Sequence, residues 1–108
     1  MCQSSSIILR DEKDIQVSWC RSSKKFTLIH RITHVSLSTK ELSCFMEGLR
    51  NLGDDEYSYL VSGEPRVVLI PLHSKVGLCL TKTEVGELIR LINGARDLFE
   101  AFKPIYDR

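Results

Sequence analysis

Two stretches decide how this chain is read: "LSTKEL" at Leu37–Leu42 and "LTKTEV" at Leu80–Val85. Each sets an apolar residue before a Ser or Thr, a Glu three places later, and then an aliphatic residue. Ser38-x-x-Glu41 and Thr81-x-x-Glu84 both have the form of a capping box. The hydroxyl accepts from the backbone N–H three residues on, and the Glu carboxylate reaches back to the cap's own N–H. After each box the apolar period lengthens from two to between three and four, which marks a change from strand to helix. The first helix is expected to bury Leu42, Phe45, Met46, Leu49 and Leu52, with Gly53 as its C′ residue. The second runs through Val85, Leu88, Ile92, Ala95, Phe99 and Phe102 until Pro104 stops it.

The segments before each box read as strands. "IQVSWC" places Ile15, Val17 and Trp19 on one face, and "FTLIHRI" places Phe26, Leu28, His30 and Ile32 on one face. A four-residue loop at 22–25, pairing Trp19 with Leu28, makes the two apolar faces coincide. "SIILR" adds a strand before this hairpin and "HVSLS" a short one after it. The second half repeats the scheme with "YSYLV", a turn at 62–65, "RVVLIPL", a turn near His73, and "VGLCLT". The expected fold is α+β, a single domain over 1–108. It consists of two tandem antiparallel sheet-then-helix units, βββ(β)α–βββα, as a pseudo-twofold duplication with sub-repeats near 6–53 and 57–103.

Composition narrows the functional classes. A chain of 108 residues with 43% apolar and 27% charged residues is that of an ordinary globular domain. Its net charge of +1 provides no global field for nucleic acid or anionic lipid. No apolar run approaches the roughly 18 residues a membrane span requires, and no signal peptide is evident. Cys2, Cys20, Cys44 and Cys79 are irregularly spaced and form no C-x-x-C pair, so zinc is not expected. Four free thiols suit a reducing cytoplasm.

Catalytic chemistry is sparse. His30 falls on an apolar strand face, as a core or rim histidine, while His34 and His73 fall in turns. As strand residues His30 and His34 would stand roughly 13 Å apart at ~3.3 Å per residue, too far for one metal. Glu41 and Glu84 are explained by capping, the glycines occur singly, and 54–56 lacks EF-hand spacing. The expectation is a non-enzymatic protein without catalytic residues, metal or cofactor. Its role is protein interaction or assembly with an unknown protein partner.

Two surfaces remain. The outward face of the first hairpin carries Gln16, Ser18, Thr27 and Ile29, with Arg21, Lys24, Lys25 and Arg31 as basic residues, and is the candidate for single-stranded nucleic acid. It lacks the aromatic platforms such binding usually uses, so a solvated face is favoured. The second helix has more apolar surface than one short sheet can cover. The excess at Leu91 and Leu98 points to a homodimer interface, with sheet edges as the other route to a dimer.

"VGLCLTKTEVGELIRLI" is similar to the last strand and helix of the PC4-like coactivators and PUR-repeat proteins, a resemblance over about a fifth of the chain. It implies a repeated strand-then-helix architecture and, as the alternative function, single-stranded nucleic-acid binding. The basic and aromatic binding residues of those families have no match here. The Cys-containing first hairpin and the two "L-[ST]-x-x-E" boxes also resemble a family of small uncharacterised bacterial proteins, which implies no activity.

Overall fold

The computed structural model describes residues 6–70 and 77–106. The chain is α+β. A four-stranded antiparallel meander consists of β1 (Ser6–Glu12), β2 (Ile15–Cys20), β3 (Lys25–His30) and β4 (Thr33–Leu37), and leads into α1 (Thr39–Arg50). A three-stranded meander, β5 (Tyr59–Val61), β6 (Glu64–Leu69) and β7 (Leu78–Thr81), leads into α2 (Lys82–Ala101) and a single further turn, α3 (Lys103–Tyr106).

Both capping boxes form. Glu41 N–H donates to Ser38 Oγ at 3.1 Å, and Ser38 N–H donates to Glu41 Oε1 at 2.8 Å. Glu84 N–H donates to Thr81 Oγ1 at 3.2 Å, and Thr81 N–H donates to Glu84 Oε1 at 2.9 Å. The helix ends differ from expectation. α1 closes on Asn51, while Gly53 has φ −89° and precedes a 3-10 turn at Asp54–Glu56, so it is not a left-handed C′ residue. α2 breaks at Phe102, which is exposed, and Pro104 sits in the first turn of α3, where its missing N–H has no helical partner to lose.

The first hairpin keeps its expected faces but not its register. Trp19 pairs with Phe26 and Val17 with Leu28, around a loop at 21–24. The sequence pattern cannot see this shift, because moving a strand by two residues returns every side chain to the same face. Turn chemistry decides it. Lys24 takes a left-handed φ of 57° and its N–H donates to Cys20 O at 2.9 Å, closing the loop one residue earlier. The same register sets the rings of Trp19 and Phe26 edge to face, 4.8 Å apart. Strand β3 ends at His30, so Ile32 is fully exposed in the Arg31–Ile32 turn and not on the apolar face, and His34 lies on β4, not in a turn.

The hairpin of the second sheet is tighter than the four-residue turn expected. Val61 pairs with Glu64 across Ser62 and Gly63, whose φ values of 54° and 79° are those of a type I′ turn. Pro65 is therefore a strand residue opposite Leu60. Its nitrogen points away from β5, and β7 stops short of it at the Arg66–Thr81 pair, so no ladder bond is lost. The turn expected near His73 lies outside the described residues.

The largest correction concerns α2. It packs on β1 and β2 of the first sheet as well as on β6 and β7 of the second, while α1 lies on β3 and β4. Two sheets, not one, cover its apolar stripes. Leu91 is only 2% exposed and belongs to the core of the single chain, and Leu98 packs against that core. The stripe assigned to a dimer interface is thus filled from within. The opposite applies to β6: Val67 is buried, whereas Val68 and Ile70, expected to be covered, are 39% and 69% exposed. Cys44 and Cys79 are free and exposed, but Cys20 is disulfide-bonded, which corrects the expectation of four free thiols.

Ser38→Ala or Thr81→Ala is expected to cost about 1 kcal/mol, and the Asp replacements almost nothing, since Asp also caps. Urea unfolding midpoints measure this, and two unaltered Ala variants would show that the boxes do not hold the helix starts. Leu91→Lys places a charge in the core, and should cost several kcal/mol and abolish the folded circular dichroism signal. A folded but dissociated variant would restore the interface assignment.

Candidate functional site

Charge concentrates where the two sheets meet the start of α2. The β1–β2 turn, the β3–β4 turn, the start of β6 and the first turns of α2 enclose a cleft of about 470 Å³. The two turns are fixed to each other, since Arg31 N–H donates to Asp14 O at 2.6 Å, and Arg31 holds a left-handed φ of 56° to do so. Glu84 is the hub. Arg31 Nη2 donates to its Oε2 at 2.6 Å, Arg66 Nη1 donates to its Oε1 at 3.3 Å, and His30 Nε2 lies 3.9 Å from Oε2. Arg66 reaches Glu64 with Nη2 at 3.2 Å, while its Nε is buried without a partner. At the rim Arg90 holds Glu12 with two bonds of 3.0 and 3.2 Å.

This geometry shifts two groups. Burial pushes the His30 imidazole below its usual range; Glu84, Asp14 and Glu87 oppose that, and Arg31 adds to it. Burial raises the Glu84 carboxyl, but the Thr81 bonds and the Arg31 and His30 charges outweigh it and leave the group below the ordinary glutamate value. The cleft's arginines are spent on its own carboxylates. Among the described residues no three His, Cys, Asp or Glu side chains converge as a metal site.

The basic residues singled out for nucleic acid are not brought together. Arg21, Lys24 and Lys25 stand at the β2–β3 end of the first sheet, all exposed. Arg31 stands at the other end of β3, about 20 Å away at ~3.3 Å per residue, and is bound to Glu84. Between them the outer face of the first sheet is a shallow groove of about 860 Å³, floored by Gln16, Ser18, Thr27, Ile29, His34 and Ser36, with Lys25 at its side. Among the described residues no Phe, Tyr or Trp lines it.

The outer face of the second sheet is mixed, since Glu64 and Arg66 share it as the cross-strand partners of Val61 and Tyr59. Register puts Val68 beside Cys79, and the alternation places Tyr59, Val61 and Ile70 on the same side. All five are exposed. Leu60 points to the other side yet is 73% exposed, because β5 reaches beyond the helical cover. Sequence reading missed this face: it took the doubly apolar run of β6 as a sign of cover on both sides. The ion pairs of Glu84 were also missed, since Arg31 is distant in sequence and capping had already accounted for the carboxylate.

No family model, curated protein or solved structure matches this chain.

The cleft predicts a pH response. His30 has a lowered pKa in the folded state, so the unfolded chain binds its proton more readily as pH falls below about 6.5, and stability is lost toward acid. Glu84 adds a second loss below about 4.5, as its own lowered group is protonated. Unfolding free energies measured from neutral pH downward should fall for the parent chain. The His30→Gln variant, though less stable, should be flat until the carboxylates titrate. An equal slope in both chains would remove His30 from this role.

Proposed function

We propose that this protein is a non-enzymatic interaction and assembly module, and that its docking surface is the outer face and free edge of the second sheet. The carrying observation is the clustering of Tyr59, Val61, Val68, Ile70 and Cys79 on one exposed sheet face. Exposed apolar side chains gathered on one sheet face support a contact with another protein. The occupant that fits is an extended polypeptide strand with aliphatic side chains. Its backbone can complete the unpaired side of β5, with its side chains beside Tyr59 and Val61. Tandem duplication of the sheet-then-helix unit is part of the same reading, supported by the two capping boxes. A cytoplasmic setting is supported by the free thiols of Cys44 and Cys79, although the disulfide at Cys20 weighs against it. Among the described residues no helix is long and apolar enough to cross a membrane.

Single-stranded nucleic acid on the first sheet is the weaker alternative. Its basic residues are split between two ends of a strand, and one of them is committed to Glu84.

Cys79, beside Val68, reports on the face of the proposed surface and not on its β5 edge. Maleimide labelling in intact cells should modify Cys79 several-fold more slowly than in the dilute purified protein, with Cys44 on α1 as the reference thiol. Equal reactivity of Cys79 in both settings would show that the face remains bare where the protein works.

A further inference from the structure

We propose that the strand received by this surface is β5 of a second copy, so that two chains join across a two-fold axis into one six-stranded sheet. This rests on the reading of the second sheet as a docking surface and names its occupant.

The hydrogen-bond parity of β5 carries the inference. Val61 and Glu64 flank a two-residue turn and exchange both their backbone bonds, and Tyr59 does the same with Arg66 two residues back. The N–H and C=O of Leu60 therefore point away from β6, toward the open side of the strand. An antiparallel copy centred on this residue sets Leu60 opposite Leu60, and the two exchange both bonds. Tyr59 then falls opposite the partner copy's Val61, and Val61 opposite its Tyr59, at the non-hydrogen-bonded positions where side chains approach most closely. Aromatic against β-branched is a favourable cross-strand pair, and here it forms twice by symmetry. Leu60 meets Leu60 on the other face, which gives its exposed side chain a partner.

The strand is suited to its own copy in charge as well. β5 contains no charged residue, no proline and no bulge, so nothing on it repels or deflects an identical strand. The β1 edge of the first sheet is built otherwise. β1 shifts register between Ile8 and Arg10 and carries Arg10, Asp11 and Glu12, features that discourage strand addition. The β1 edge is discouraged from pairing and the β5 edge is not.

Sedimentation analysis of the purified full chain, from low to high micromolar concentration, should show monomers converting to dimers. Leu60→Pro removes the outward N–H without touching a bond to β6, and Leu60→Lys sets two charges together at the axis. Each variant should stay at the mass of one chain throughout, with the parent's circular dichroism. Leu60→Cys, in a chain with Cys44 and Cys79 changed to Ser, should give a cross-linked pair with a short bifunctional maleimide; its absence would overturn the proposal even if the Pro and Lys variants misfold. A dimer that persists in folded Leu60→Pro would also overturn it. A parent chain that stays monomeric at every concentration excludes a second copy; if Cys79 is nevertheless protected in cells, the docking surface stands with a different protein on it.

Discussion

Everything in this fold leans on one helix covering two sheets. α2 is 20 residues long and lies against β1 and β2 on one side and β6 and β7 on another. Neither small sheet could bury its apolar face alone, and a helix with a single narrow stripe could serve only one of them. The broad stripe of Leu88, Leu91, Ile92, Ala95 and Phe99 resolves this, and all five are buried. Phe99 completes the arrangement by packing 4.5 Å from Trp19 and 5.1 Å from Phe26, so the C-terminal part of α2 is anchored by the rings of the first hairpin. Because α2 is shared, the two halves form one core and are not two independent units placed side by side.

The start of α2 has to be fixed as firmly as its length. Glu84 does this with one carboxylate in two roles. It closes the capping box with Thr81, and it receives Arg31 from the first sheet and Arg66 from the second. Local helix initiation and long-range assembly therefore depend on the same oxygens. Glu41, in the equivalent box of α1, accepts from Ser38 in the same way. His30, the last residue of β3, is brought beside Glu84 by the turn whose Arg31 holds that carboxylate.

Local rules were the legible part of the sequence. Both capping boxes, the four strands of the first sheet and the α+β order could be read because their signals lie within a few residues: a hydroxyl and a Glu three apart, or a period of two. What escaped needs information from elsewhere in the chain or from the turn. The β2–β3 register was invisible to a period-two pattern, and only the left-handed Lys24 fixes it. The Ser62–Gly63 turn was hidden by Pro65, whose place in a strand is allowed only because β7 is too short to need its N–H. Leu91 was read as surplus because the sequence gives no hint that α2 covers two sheets.

The two sheets also differ in a way that packing does not require. The outer face of the first carries Gln16, Ser18, Thr27 and Ser36 beside Ile8 and Ile29, and its β1 edge is charged and bulged. The outer face of the second carries Tyr59, Val61, Val68 and Ile70 beside Glu64 and Arg66, and its β5 edge pairs with no other strand among the described residues. Both sheets present their inner apolar faces to the same helix, so the inner faces resemble each other for reasons of stability. Polar residues at 59, 61, 68 and 70 would leave that shared core untouched and would lower the risk of unwanted association. Exposed apolar side chains that contribute nothing to the inner core thus lie beside a strand edge free of charge, proline and bulge, where the proposed second copy would add.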